Sequence, residues 1–214
     1  MKLYDYFRSS AAYRVRIGLN LKGLAYESIP VHLTRGGGEQ LQPAFRAVNP
    51  GALVPALQDG EAVITQSLAI LEYLDETHPM APLMPRDALG RARVRALALS
   101  IACDIHPLDN LRVLRFLVNE MKVSEDDKNR WYRHWVETGL AAVERQLAGS
   151  ATTGRFCFGD TPTLADCVLV PQIFNAHRMD CRLDHVPTVM RVFGECMTLD
   201  AVLQSQPSAC PDAT

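Results

Sequence analysis

The pattern of hydrophobic and polar positions changes character near residue 80. Before that point, short apolar runs of strand length alternate with helical segments. They begin with a strand at residues 3–7, a helix that starts near Ser9 and ends near Lys22, and a second strand at residues 26–31. Beyond residue 80, the periodic segments repeat their apolar positions at helical spacing. The sequence therefore predicts an α/β domain followed by an all-α domain.

A proline-rich segment marks the boundary between the two domains. Residues 78–85 contain three prolines in eight positions, a composition typical of a stiff, extended linker. We assign residues 1–80 to the first domain, residues 81–86 to the linker and residues 87–214 to the helical domain.

Composition and charge exclude several classes of function. The 214 residues are 48% hydrophobic and 21% charged, and the formal net charge is −2, so neither a nucleic-acid nor a membrane partner is expected. The six cysteines lack C-x-x-C pairing and zinc-ligand spacing, which predicts free thiols in a reducing compartment and no metal site. The sequence shows neither a signal-peptide pattern nor an apolar run of transmembrane length. We therefore expect a cytoplasmic protein.

The start of the first helix is a candidate anion site. Ser9 and Ser10 stand where a helix N-cap belongs, and the amide groups and macrodipole of a helix start favour an anion. Such a position can lower the pKa of a thiol from about 8.5 into the neutral range. A thioredoxin-like fold often carries C-x-x-C here, whereas Ser9-Ser10-Ala11-Ala12 supplies no sulfur. The site must therefore take its thiol from a bound molecule, or else the serine cap is purely structural.

Two further positions in the first domain are candidate contacts for a peptide-like ligand. Val54-Pro55 places a proline at the mouth of an apolar strand, and a cis bond there would leave the main chain of Val54 available to an extended ligand. The alternative is an ordinary edge-strand proline. Ser67 begins a helix, where its amide and hydroxyl are suited either to bind a carboxylate or only to cap the helix.

A set of motifs, in one order along nearly the whole chain, resembles the zeta class of glutathione transferases, which includes maleylacetoacetate and maleylpyruvate isomerases. The motifs are Tyr6-Phe7-Arg8-Ser9-Ser10, Arg14-Val15-Arg16-Ile17, Asn49-Pro50, Val54-Pro55, Gln66-Ser67-Leu68-Ala69-Ile70, Ile105-His106-Pro107-Leu108 and Gly159-Asp160-Thr161-Pro162-Thr163-Leu164-Ala165-Asp166. The resemblance implies the glutathione transferase fold, with a thioredoxin-like α/β N-terminal domain and an all-α C-terminal domain. It also implies a homodimer.

The resemblance further implies how glutathione binds as the cofactor. Ser9 or Ser10 would hydrogen-bond its sulfur, and Val54 would pair with its cysteine backbone. Gln66 and Ser67 would hold its γ-glutamyl carboxylate. Additional contacts align with Gln40, His106 and Asn110, the last two from the helical domain. His106 has the alternative role of filling a proline kink, because family members also carry glutamine at this position.

The activity implied by the resemblance is glutathione-dependent cis-trans isomerisation of maleylpyruvate or maleylacetoacetate to the fumaryl isomer, in aromatic catabolism. The thiolate would add to the cis double bond and place negative charge on the neighbouring keto group. This charge and the two carboxylates of the dicarboxylate substrate both require fixed positive groups in the protein. We assign substrate binding to Arg8, Arg112 and Arg178, and catalysis to Arg8, Ser9 and Ser10. For each arginine, the alternative is a solvated surface residue.

One position departs from the family pattern. Where members usually carry Ser-Ser-Cys, the third residue is Ala11, which spares the isomerisation but puts the dehalogenase side activity in doubt. Two alternative functions are a glutathione transferase or peroxidase of broad specificity, with an apolar acceptor pocket, and a non-catalytic glutathione-binding protein. Both maleyl substrates present the same carboxylate, keto group and cis bond, so the sequence is compatible with either.

Overall fold

The computed structural model describes residues 1–213, and the chain divides into two compact units. The first unit comprises Met1–Leu83 together with the chain from Met197 onward, and the second comprises Met84–Cys196. This boundary falls inside the predicted linker, while the C-terminal segment is grouped with the first unit instead of with the helices that precede it. The domain bounds assigned from the sequence stay a prediction.

The first unit is built on a mixed sheet with the strand order β2-β1-β3-β4. Its strands are β1 (Lys2–Asp5), β2 (Glu27–Pro30), β3 (Ala56–Asp59) and β4 (Ala62–Thr65). β1 runs parallel to β2, and β3 pairs antiparallel with both β1 and β4. The parallel pair joined by a helix and the hairpin that follows confirm the predicted thioredoxin-like arrangement.

The helices of the Met1–Leu83 segment are α1 (Ser10–Leu21), α2 (Pro43–Val48) and α3 (Ser67–Thr77). The sequence of residues 39–47 predicts a single short helix, but the structure divides this segment into a 3-10 turn (Glu39–Leu41) and α2. Pro43 explains this difference, because a proline disfavours the helical conformation of the residue before it and lacks an amide N–H. Gln42 is accordingly extended, and Pro43 begins α2.

The core of the first unit lies between the sheet and the helices α1 and α3. It is formed by apolar side chains with no solvent exposure, namely Leu3, Val15, Leu19, Leu57, Ile70 and Leu74. The two helices pack very closely at Gly18, where an ideal Cβ would lie only 2.2 Å from Cδ2 of Leu71. A glycine at this position therefore sets the spacing of α1 and α3.

A buried ion pair connects β1 with α1. Nη1 of Arg16 contacts the two carboxylate oxygens of Asp5 at 2.7 and 2.9 Å, and both side chains are almost completely buried. The remaining donors of Arg16 bind main-chain oxygens, with Nη2 and Nε each 3.0 Å from the carbonyls of Phe7 and Ser205 respectively. The pair thereby braces the segment that leads to Ser9.

The second unit is helical. Its helices are α4 (Ala88–Ala102), α5 (Leu111–Asn119), α6 (Glu125–Ala148), α7 (Leu164–Arg178) and α8 (Pro187–Cys196). Asp87 and Ser124 each stand directly before an amphipathic run in the sequence, which predicts helix caps, and in the structure they cap α4 and α6. The spacing of Thr163 and Asp166 in the sequence predicts a capping box at the start of α7, and the structure contains it. A carboxylate oxygen of Asp166 accepts bonds from the amide and the hydroxyl of Thr163 at 2.7 and 2.8 Å.

From Met197 onward the chain packs on the first unit through α9 (Asp200–Leu203), which contacts α1. Asn20 donates to the hydroxyl of Ser205 at 2.8 Å, and the Phe7 amide donates to the carboxylate of Asp212 at 3.3 Å.

Within residues 1–213, no helix combines the length and the apolar composition needed to cross a bilayer.

We expect Gly18→Ala to lower the free energy of unfolding by about 1–3 kcal/mol, because the added methyl group overlaps the fully buried Leu71. Gly194 in α8 is the matched control, since nothing lies within 4 Å of its ideal Cβ. Alanine at that position should raise the stability by about 0.5–1 kcal/mol through helix propensity. Urea denaturation measures both changes, and equal effects at the two sites would contradict the packing argument.

Candidate active site

Ser9 organises the start of α1. It is the N-cap, with an extended backbone (φ −71°, ψ 115°), and its hydroxyl accepts a bond from the amide of Ala12 at 3.2 Å. Ser10 is the first helical residue and is buried. The first amides of an α-helix have no partner inside the helix, and the macrodipole places partial positive charge at this end. The start of α1 can therefore stabilise an anion that approaches it.

A second helix start, that of α3, also gathers groups suited to an anion. Gln66 has a positive φ of 70°, a conformation that is uncommon for residues with a Cβ and often found at ligand sites. Ser67 follows as the first residue of α3, and its hydroxyl accepts a bond from Nη1 of the buried Arg14 at 3.2 Å. The hydroxyl, the helix start and the guanidinium together suit a carboxylate.

Val54 lies close to the segment that precedes α1, and Gln40 lies in the turn before α2. The Val54–Pro55 bond is cis, as one of the two sequence interpretations anticipates, and the side chain of Val54 packs in a buried cluster with Tyr6 and Phe7. Gln40 lies in the turn before α2 and is only 8% exposed, yet its Oε1 has no hydrogen-bond partner within residues 1–213. A buried amide oxygen without a partner costs about 1–3 kcal/mol, so it fits a bound molecule that carries a hydrogen-bond donor.

Arg8 lies between this buried cluster and the cap of α1. Its side chain is exposed, and the guanidinium carbon is 5.0 Å from the centroid of the Phe7 ring. A cation over an aromatic face is held by the ring quadrupole while it remains accessible to solvent. The structure thus keeps a positive charge beside Ser9.

In the second unit, the predicted contacts cluster at the junction between a 3-10 turn (His106–Asp109) and α5. His106 begins the turn and is partly buried. Asn110 is the N-cap of α5, where its Oδ1 accepts a bond from the amide of Arg112 at 3.1 Å. The side chain of Arg112 is exposed. Capping fixes the orientation of the Asn110 amide and leaves its NH₂ group as the donor toward a ligand.

Arg178 is the last residue of α7 and is exposed to solvent. Its guanidinium lies close enough to the hydroxyl of Tyr132, a buried residue of α6, for the two groups to interact electrostatically. Burial raises the pKa of Tyr132 above its usual range, and the positive charge of Arg178 partly opposes this effect. The phenol thus remains neutral beside the guanidinium of Arg178.

Two buried charged residues have no role in the sequence-based site. Arg14 belongs to a motif quoted above, but sequence alone does not show that it contacts Ser67. Asp109 is 7% exposed, and neither of its carboxylate oxygens has a hydrogen-bond partner in the described part of the chain. Burial raises the pKa of Asp109 to about 8. Its position between Leu108 and Leu111 was the available signal of burial.

The raised pKa of Asp109 predicts a pH-dependent stability. Between about pH 4 and about pH 8 the unfolded chain has released this proton and the folded protein has kept it, so the contribution of Asp109 to stability falls as the pH rises. Asp109→Asn cannot titrate. As the pH rises from about 5.5 to about 7.5, the free energy of unfolding of Asp109→Asn should therefore increase by about 1–3 kcal/mol relative to that of the natural protein.

Urea denaturation at several pH values measures this difference, and Asp104→Asn is the control because Asp104 is exposed on the same connection. A constant stability difference between Asp109→Asn and the natural protein across this pH range would show that Asp109 is ionised in the folded state.

Residues 3–82 match the family model described as the N-terminal domain of glutathione S-transferase, and residues 130–188 match the model of its C-terminal domain. The chain belongs to the glutathione S-transferase family. This membership confirms the predicted fold class, in which a thioredoxin-like α/β part precedes a helical part.

Relatives of this glutathione S-transferase align along its whole length. A probable maleylacetoacetate isomerase of Vibrio cholerae is 49% identical over 211 residues, which cover 99% of this chain and 97% of the relative. A maleylpyruvate isomerase of a Ralstonia species is 47% identical over 213 residues, which cover 100% of both. The resemblance to the zeta class noted in the sequence is therefore confirmed.

Solved structures give the same result for the fold. The holo structure of a maleyl pyruvate isomerase, described as a bacterial glutathione S-transferase of the zeta class, matches with a TM-score of 0.97 at 47% identity, covering 100% of both chains. A maleylacetoacetate isomerase from Methylobacterium extorquens with bound malonate and GSH matches with a TM-score of 0.96 at 42% identity, again covering 100% of both chains.

Proposed function

We propose that this protein is a glutathione-dependent cis-trans isomerase that converts maleylpyruvate or maleylacetoacetate to the fumaryl isomer in aromatic catabolism. The observation that carries the proposal is the start of α1, where Ser9 caps a helix whose first turn contains no cysteine. An anion-stabilising helix start without its own thiol suits an enzyme that uses the thiol of a bound tripeptide. The full-length similarity to enzymes with these names supports the same activity.

In this proposal the first unit holds most of glutathione. Ser9 or Ser10 binds the sulfur, the main chain of Val54 pairs with the cysteine residue, and Gln66 and Ser67 bind the γ-glutamyl carboxylate. The Gln40 side chain, whose Oε1 has no hydrogen-bond partner within residues 1–213, supplies a further contact, as do His106 and Asn110 in the second unit. The bound GSH in the structure of the Methylobacterium extorquens relative supports the cofactor assignment.

Bound glutathione supplies a nucleophilic thiolate, whose reversible addition turns the cis double bond of the substrate into a rotatable single bond. The chain's part is electrostatic. The cap of α1 and its first amides favour the ionised sulfur over the thiol, and Ser9 or Ser10 orients the sulfur through a hydrogen bond.

Arg8, Arg112 and Arg178 bind the dicarboxylate substrate in this proposal. Each guanidinium can donate two parallel hydrogen bonds to a carboxylate. One of them also stabilises the negative charge that develops on the keto oxygen, which is worth most where water is excluded. Malonate, itself a dicarboxylate, is bound in the Methylobacterium extorquens relative, which supports this class of ligand.

The activity is tested by following the absorbance of maleylpyruvate and of maleylacetoacetate after the protein is added. We expect a rapid change only with glutathione, no change with S-methylglutathione, and no net consumption of glutathione. A stoichiometric loss of glutathione would instead indicate a conjugating transferase of broad specificity. Binding of glutathione without any turnover would indicate a non-catalytic binding protein.

The proposal also includes a cytoplasmic homodimer. The resemblance to the zeta class supports the dimer. Light scattering coupled to size-exclusion chromatography gives the mass directly, and a monomeric mass at micromolar concentration would contradict the dimer.

A further inference from the structure

Arg14 is a buried cation that contacts a proposed ligand-binding residue without belonging to the site proposed above. We infer that Arg14 is a positioning residue for glutathione: its bond to Ser67 turns the Ser67 hydroxyl into a donor aimed at the γ-glutamyl α-carboxylate. This inference rests on the proposed glutathione site. It adds the residue that sets how the site recognises one end of the tripeptide.

The contact lies inside the first unit. Nη1 of Arg14 is 3.2 Å from Oγ of Ser67, and the two residues are 3% and 5% exposed. Arg14 lies one helical turn beyond Ser10 on α1, and Ser67 is the first residue of α3. At such burial a charge acts on a neighbouring dipole with little screening by water.

The chemistry of the two groups fixes the direction of this bond. A guanidinium has only donors, so Ser67 Oγ must be the acceptor. A hydroxyl has one hydrogen and two acceptor lone pairs, and Arg14 occupies one lone pair. The hydrogen of Ser67 consequently points away from Arg14 and is available to an acceptor. The positive charge of Arg14 also polarises the hydroxyl and makes it a stronger donor to an anion.

The packing of α1 against α3 makes this contact part of a regular register. Arg14 faces Ser67, and Gly18 faces Leu71. At the C-cap of α1, four residues beyond Gly18, the ammonium group of Lys22 lies 2.9 Å from the carboxylate of Asp75. Successive contacts advance by four residues on both helices, which therefore run in the same direction. Gly18 allows the close approach, and the buried Lys22–Asp75 pair prevents slippage.

This register explains why an arginine, and not a shorter residue, stands at position 14. The start of α1 is the proposed thiolate site, and the start of α3 is the proposed carboxylate site. Arg14 reaches from α1 to Ser67 on α3, so it connects the helix of the proposed thiolate site with the helix of the proposed carboxylate site through the protein interior. Its charge adds to the positive end of the α3 dipole at the point where the γ-glutamyl α-carboxylate would lie.

The test is a binding cycle measured by isothermal titration calorimetry. The two ligands are glutathione and γ-aminobutyryl-cysteinyl-glycine, which lacks only the γ-glutamyl α-carboxylate. The proteins are the natural chain, Arg14→Met, Arg14→Lys, Ser67→Ala and the Arg14→Met/Ser67→Ala double variant. Thermal melting of each variant establishes that it is folded at the temperature of the titration.

For the natural chain we expect glutathione to bind about 10- to 100-fold more tightly than the analogue, the range for a buried hydrogen bond to a charged group. Arg14→Met should weaken the binding of glutathione by about 10-fold and leave the binding of the analogue nearly unchanged. The double variant should bind glutathione no more weakly than Ser67→Ala alone, because Arg14 and Ser67 act together as one hydrogen-bonded unit. Arg14→Lys should recover part of the loss, since lysine is also a pure donor.

Equal losses for glutathione and the analogue in Arg14→Met would show a structural role and overturn the inference. Independent, additive effects of Arg14→Met and Ser67→Ala would overturn it as well. In both cases glutathione still binds the natural chain, so the proposed function is unaffected. If the natural chain binds no glutathione at all, the proposed function fails, and the inference fails with it.

Discussion

Asp5→Ala is expected to lower the free energy of unfolding by about 3–5 kcal/mol, because it leaves the guanidinium of Arg16 buried without its counter-ion. Both residues are almost completely inaccessible to water, and the bidentate contact provides the only carboxylate seen for Arg16 among residues 1–213. The loss also reaches the segment before Ser9, since Arg16 holds the carbonyl of Phe7. Urea or guanidinium denaturation measures the change.

The cause can be separated from a simple loss of packing. The double variant Asp5→Leu/Arg16→Met removes both charges and should recover a large part of the lost stability, because apolar replacement of a whole buried pair is often neutral. Glu195→Ala is the control for an exposed pair. Glu195 binds Arg155 at 2.9 Å near the surface, so its removal should cost no more than about 1 kcal/mol. If the double variant is less stable than Asp5→Ala, unpaired charge is not the cause.

Arg8→Ala and Arg178→Ala are each expected to reduce kcat/KM for the maleyl substrates by about 100-fold or more. The proposed role of both groups is to hold negative charge that is present on the substrate and grows in the transition state, and removing one such group typically costs a factor of this size. Because the substrate carboxylates are charged before reaction as well, KM should rise while kcat falls. Steady-state kinetics at saturating glutathione measures both parameters.

Arg130→Ala is the matched control for these variants, since Arg130 is an exposed arginine that pairs with Asp127 on the same helix. It should leave kcat/KM within about twofold, in line with the small effects usual for surface pairs. Tyr132→Phe separates the support of Arg178 from its charge, because it removes only the hydroxyl next to the guanidinium. Full turnover by Arg8→Ala and Arg178→Ala would favour a transferase with an apolar acceptor pocket.

Local signals in the sequence predicted much of the fold. Asp87 and Ser124 are recognisable helix caps because a short polar side chain directly precedes an amphipathic run. Thr163 and Asp166 are spaced as a capping box, which the structure contains. The exception at residues 39–47 has an equally local cause in Pro43. Such features depend on residues a few positions apart, so sequence alone can reveal them.

The buried charges could not be predicted in this way. Arg16 is stable in the interior because its partners include Asp5, close in sequence, and the carbonyl of Ser205, which only tertiary packing brings near. Arg14 likewise needs Ser67, and the packing of the chain from Met197 onward on the first unit has no local sequence signal. The predicted site residues at helix starts were accessible to sequence reasoning, whereas the residues that support them were not.

The central claim is that the start of α1, capped by Ser9, ionises a thiol that the chain itself does not provide. The most direct measurement is a pH titration of the ultraviolet absorbance of thiolate in the protein–glutathione complex, with the S-methylglutathione complex as the reference for the protein's own cysteines. We expect a pKa of the bound thiol at least one unit below the value of about 8.5 for a free thiol. A bound thiol that titrates at or above the free value would contradict it.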